Sequence, residues 1–86
     1  MTASYKVVFR RSAEKELRSV PKADLERIMA KIRALARDPR PHGCEKLTVS
    51  DHYRLRQGDW RVVHAVDDRS RTVTIIRIGN RREVYR

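Results

Sequence analysis

Eighty-six residues make one small domain, spanning 1–86, and a chain of this size buries only about 60% of its unfolded surface. One cysteine, Cys44, excludes an intrachain disulfide, and the longest apolar run, Val7-Val8-Phe9, excludes a transmembrane helix and a signal-peptide core, so a cytoplasmic protein without membrane contact is expected. Twenty-one basic residues, sixteen of them arginine, against eleven acidic ones give a net charge of +10, spread over both halves of the chain, which suits a polyanionic partner and planar phosphate contacts.

Tyr5-Lys6-Val7-Val8-Phe9 is a first strand. Ser12 is the expected N-cap of a short helix, with Glu14 and Glu16 opposing the helix dipole, and the helix ends before Pro21. A second helix places Leu25, Ile28, Met29, Ile32, Leu35 and Ala36 on one apolar stripe and is stopped by Asp38-Pro39. After residue 50 the period changes to two. Tyr53 and Leu55 alternate with Arg54 and Arg56, Gln57-Gly58-Asp59 makes a tight turn, and a strand follows from Trp60 to Asp67. A polar turn over 67–71 leads to a last strand from Thr72 to Ile78, ended by Gly79. The expected fold is α+β: an N-terminal strand, a helical hairpin, then a three-stranded antiparallel meander, forming one sheet with helices packed on it.

Strand parity sorts the second half into faces. Trp60, Val62, His64 and Val66 belong to the helix-covered side. His52, Arg54 and Arg56 share the other side of their strand, and pairing through the tight turn brings Arg61 onto the same open face. Three mutually repelling guanidinium groups on one face point to an anion that normally sits among them.

The segments Tyr53-Arg54-Leu55-Arg56, Gly58-Asp59-Trp60-Arg61-Val62-Val63-His64 and Ile78-Gly79-Asn80-Arg81-Arg82-Glu83-Val84-Tyr85 resemble the RelE/ParE toxin superfamily, and more closely its RelE branch. That resemblance implies a type II toxin that is an endoribonuclease, cleaving mRNA in the ribosomal A site without a metal or other cofactor and neutralised by a cognate antitoxin. Ribosome, mRNA and antitoxin are the implied partners, and the open basic face suggests an acidic, amphipathic antitoxin segment. Carried over by position, the implied site is Arg54, Arg56, Arg61, Arg81 and Tyr85, the tyrosine stacking on a base.

Where the best-known RelE sequences carry lysines on the strand, this chain has Arg54 and Arg56. Arginine clamps phosphate well but is a very poor general base. The candidate bases are His52, Tyr85, Glu83 and Lys46, and the alternative is catalysis by charge stabilisation alone. His64 is expected in the core, and His42 with Cys44 lacks further ligands at metal spacing. Two other functions fit the same composition. One is a ParE-type poison of DNA gyrase without nuclease activity; the other is a basic sheet protein that only binds RNA.

Overall fold

The computed structural model of the chain describes residues 4–48 and 51–80. The elements are β1 (Lys6–Phe9), α1 (Arg11–Arg18), α2 (Lys22–Ala34), β2 (Glu45–Lys46), β3 (His52–Gln57), β4 (Trp60–Asp67) and β5 (Thr72–Asn80). They form one five-stranded sheet in the order β1-β5-β4-β3-β2, with β1 parallel to β5 and the other pairs antiparallel. This is the expected α+β arrangement of strand, helical hairpin and meander. It gains one strand, β2, which sequence alone leaves inside a loop. Two residues are too few to show a period.

Helix α1 starts two residues earlier than the Ser12 cap predicts. Its N-cap is Arg10, extended at φ −68° and ψ 147° and without a side-chain cap bond. The reason is local. The Arg10 N–H still donates to the Ile75 carbonyl at 2.9 Å, so β1 holds Arg10 in the sheet and runs straight into the helix. Helix α2 is capped by Pro21, whose fixed φ of −56° suits a helix start and whose carbonyl accepts from the Asp24 and Leu25 N–H groups.

The apolar stripe of α2 buries Ile28 and Ile32, with Leu35 just beyond, against Leu55, Val62, Val73, Ile75 and Ile78 of the sheet. Ala13 of α1 and Val20 complete the core, and Trp60 packs at its margin while its Nε1 donates to Asp24 Oδ2 at 3.2 Å. Among the described residues no helix is long and apolar enough to cross a membrane.

Two backbone features set the faces of the sheet. The β3–β4 hairpin closes on Gly58-Asp59, with Gln57 paired to Trp60 and Gly58 at φ +59°. Glycine tolerates that left-handed conformation without a steric penalty. The second feature lies in β5. Its pairing with β4 shifts between Val63, opposite Arg77, and His64, opposite Ile75, so Ile76 is an extra residue. The bulge keeps both Ile75 and Ile78 inward although three positions separate them. Nor does Gly79 end the strand, because it pairs with Arg61 and β5 runs on to Asn80.

His64 is fully buried on the core side, its Nε2 lying 2.8 Å from the Pro39 carbonyl. A carbonyl partner makes Nε2 the protonated nitrogen, while Nδ1 is buried without a hydrogen-bond partner among the described residues. The ring stacks on Tyr53 with centroids 5.7 Å apart. Burial, the largest influence, holds the imidazole pKa below its ordinary 6.5.

The unfolded chain therefore takes up a proton at His64 before the folded protein does, and stability falls as pH drops below about 6.5. The carboxylates whose pKa values are held down lose their contribution only at lower pH. Melting temperature is expected to fall between pH 7 and about 5, and His64→Gln to flatten that limb of the profile. At the centre of the core, Ile28→Ala is expected to cost about 2–5 kcal/mol, read from urea denaturation.

Candidate anion-binding face of the sheet

On the face of the sheet away from the core, cross-strand partners line up in rows. One row runs Glu45, Arg54, Val63, Arg77 across β2, β3, β4 and β5. The next runs Arg56, Arg61, Gly79. His52 stands opposite Ala65, two residues before Arg54 and on the same side. The hairpin register thus brings Arg54, Arg56, Arg61 and His52 to one face, as strand parity predicts. Arg81 and Tyr85, and Glu83 with them, lie outside the described residues.

The three arginines are not equally open, which corrects the expectation of a uniformly exposed cluster. Arg56 has 57% of its side chain exposed and Arg54 only 15%. Arg61 is buried at 6% exposure. Its Nη1 turns back on the hairpin, donating to the Gly58 carbonyl at 3.1 Å and the Trp60 carbonyl at 3.0 Å. Those turn carbonyls draw the guanidinium inward. A strand pattern shows the side on which a residue starts, but not where a long side chain ends.

A residue absent from the sequence-based site occupies the cluster. Glu45 Oε1 lies 3.1 Å from Arg54 Nη2 and 3.1 Å from Arg56 Nη2. The hydrogen bond from Arg54, chiefly, holds the Glu45 carboxyl below its ordinary pKa. Nothing local in the sequence announces this, since Glu45 reaches the site only because β2 pairs with β3. The alkyl stem of Lys31 on α2 carries its Nζ to the Arg56 carbonyl, 2.8 Å away, and so ties the helix to the same strand.

Arg77 joins the face through the bulge, and its Nε lies 3.7 Å from Glu16 Oε2. The other oxygen of that carboxylate accepts the Ile78 N–H at 2.8 Å, where β5 has run past the end of β1. A signal for this was present in the sequence. Continuing the inward alternation from Val73 and Ile75 puts an arginine, Arg77, where an apolar residue is due. Only an extra residue in the strand resolves that conflict.

Lys46 is placed apart from the cluster. It pairs with Tyr53 on the helix side of the sheet, its Nζ 5.3 Å from the Tyr53 ring centroid. It shares no face with Arg54 or Arg56, so it leaves the set of candidate bases. On that same side Arg40 donates from Nε to the Tyr53 hydroxyl at 2.9 Å and holds Asp68 through both Nη atoms, at 3.2 and 2.9 Å. The Tyr5 hydroxyl donates to Asp68 at 2.6 Å. Arg40 keeps the Asp68 carboxyl below its ordinary pKa, and Asp68 raises that of the Tyr5 hydroxyl. This network fastens the loop after α2 to Tyr5, just before β1, to β3 and to the 67–71 turn, a structural role rather than an anion site.

A family model described as "ParE toxin of type II toxin-antitoxin system, parDE" matches residues 7–85. No curated protein sequence matches the chain. Among solved structures, the isolated RelE toxin of E. coli is 27% identical, with a TM-score of 0.82 over 95% of this chain and 92% of that one. A chain of the archaeal RelE–RelB complex from Pyrococcus horikoshii OT3 is 30% identical, with a TM-score of 0.77 over 94% of this chain and 97% of that one. A chain of the RelBE2 toxin–antitoxin complex from Mycobacterium tuberculosis shares the fold at 24% identity, with a TM-score of 0.79 over 93% and 94%.

Proposed function

The chain belongs to the RelE/ParE superfamily and is a toxin of a type II toxin–antitoxin system with a RelE-like structure, and we propose that it acts as a cytoplasmic endoribonuclease on ribosome-bound mRNA. One observation carries this reading. Two guanidinium groups, from Arg54 and Arg56, converge at 3.1 Å on a single carboxylate oxygen, which is the seat a phosphate oxygen needs. Arg61 follows on the same face, directly opposite Arg56.

In the reaction proposed, the ribose 2′-oxygen attacks the adjacent phosphorus while the bond from phosphorus to the 5′-oxygen breaks. The products are a cyclic phosphate and a free 5′-hydroxyl, formed without a metal ion. Negative charge grows on the nonbridging phosphate oxygens in the transition state. Arginines fixed on a sheet meet that charge with little reorganisation. Arg54 is braced by its neighbours and Arg56 is open, so the pair offers one rigid and one adaptable contact. Arg81 and Tyr85 enter the proposal by position in the family pattern, the tyrosine as a stacking platform for a base.

The 2′-hydroxyl proton passes to His52 or Tyr85, or to water where charge stabilisation alone lowers the barrier, and the departing 5′-oxygen takes up a proton from water. His52 lies on the arginine face, with Nδ1 buried and without a hydrogen-bond partner among the described residues. The antitoxin proposed is a chain with an acidic amphipathic segment, in keeping with the RelB complexes of the similar structures. A second reading, a gyrase-directed toxin without nuclease activity, is favoured by the description of the matching family.

Arg56→Ala tests the first reading, because its exposed side chain can be lost with stability changed by no more than about 0.5 kcal/mol. Cleavage of ribosome-bound mRNA is expected to slow by about 10²-fold, with melting temperature unchanged. Wild-type cleavage by Arg56→Ala overturns the site. Inhibition of gyrase supercoiling, with mRNA left intact, supports the second reading instead.

The pH profile separates the candidate bases. If His52 acts, His52→Gln slows single-turnover cleavage by about 10²–10⁴-fold and changes the shape of the rate–pH profile. If Tyr85 acts, the rate continues to climb above pH 8 and Tyr85→Phe flattens the climb.

A further inference from the structure

Glu45 has no part in the reaction proposed above, yet from the edge strand its carboxylate reaches in between Arg54 and Arg56. Its Oε1 takes the position between Arg54 Nη2 and Arg56 Nη2 that a phosphate oxygen would need, at 3.1 Å from each. We propose that Glu45 is a built-in competitor for the phosphate seat, an internal anion that RNA must displace in order to bind Arg54 and Arg56. The proposal rests on the reading of those two arginines as a phosphate seat.

Three properties of the site suit an anion that is held and then released. Glu45 belongs to a two-residue strand at the edge of the sheet, and 47% of its side chain is exposed, so it has room to swing away. Ion pairs at this exposure are worth little, which makes the exchange with phosphate a balanced one. The depressed pKa keeps the carboxylate charged at neutral pH, so the competitor is always present.

The physical consequence is selectivity among anions. An isolated monoanion exchanges one charge for another at the seat and gains almost nothing. A polynucleotide loses the same contact with Glu45 but makes further contacts along its backbone, which tips the exchange. A protein with a net charge of +10 thereby masks its most concentrated anion seat from small ions while leaving it open to RNA.

Binding of a short, fluorescein-labelled single-stranded RNA, 2′-O-methylated to block cleavage, tests the proposal by fluorescence anisotropy at two salt concentrations. Glu45→Gln and Glu45→Ala are each expected to tighten binding about three- to tenfold and to steepen its salt dependence, with Arg56→Ala weakening it. The double variant Glu45→Gln/Arg56→Ala is expected to lose most of the gain. If Arg56→Ala weakens binding but both Glu45 variants bind no better than wild type, Glu45 braces the arginines, and the proposal is overturned while the phosphate seat stands. If Arg56→Ala binds as wild type does, the seat itself is wrong and the proposal falls with it. Melting temperatures confirm that each variant is folded before its affinity is compared.

Discussion

The register of the β3–β4 hairpin is the constraint from which both faces of this protein follow. Gly58 and Asp59 close it with only two residues, so Leu55 meets Val62 and Arg56 meets Arg61. A slip of one residue would send every side chain of one strand to the opposite face. Leu55 would then face the solvent side, and Arg54 and Arg56 would point at the apolar stripe of α2. The cost of burying two unpaired guanidinium groups forbids that arrangement. Hydrophobic burial on one face and charge on the other therefore enforce the same pairing.

Charge on the opposite face is held by carboxylates at its margins. Glu45 stands at the β2 end of the Arg54 row, and Glu16 of α1 meets Arg77 at the β5 end. Neither acid is close in sequence to the arginine it meets. With twenty-one basic residues in the chain, such placement lets arginines lie near one another without splitting the sheet. Arg61 solves the same problem in another way, by turning to backbone carbonyls of its own hairpin.

Most of the fold was legible because its elements carry clear periods. The stripe from Leu25 to Leu35, and the alternation from Tyr53 onward, each have one physical reading. What sequence could not supply was long-range placement. The β1–β5 pairing joins Lys6 to Thr72, β2 is too short for a pattern, and Arg40 reaches Asp68 and Tyr53 from a loop. The Ser12 cap failed because Arg10 was still bonded to the sheet, a tertiary contact that outweighs local capping preference. For the site, parity located Arg54, Arg56, Arg61 and His52 correctly by face. It missed the burial of Arg61 and the presence of Glu45, both of which depend on partners from elsewhere in the chain.

The extra residue at Ile76 divides β5 into two lengths with opposite phase. The first pairs with both β1 and the far half of β4, the second with the half of β4 next to the tight turn. A central strand with one continuous pleat would transmit any misfit at one neighbour directly to the other. This one has a joint, where twist is taken up locally. Pairing with the N-terminal strand and pairing near the arginine-bearing turn thus each keep their own phase along a single strand.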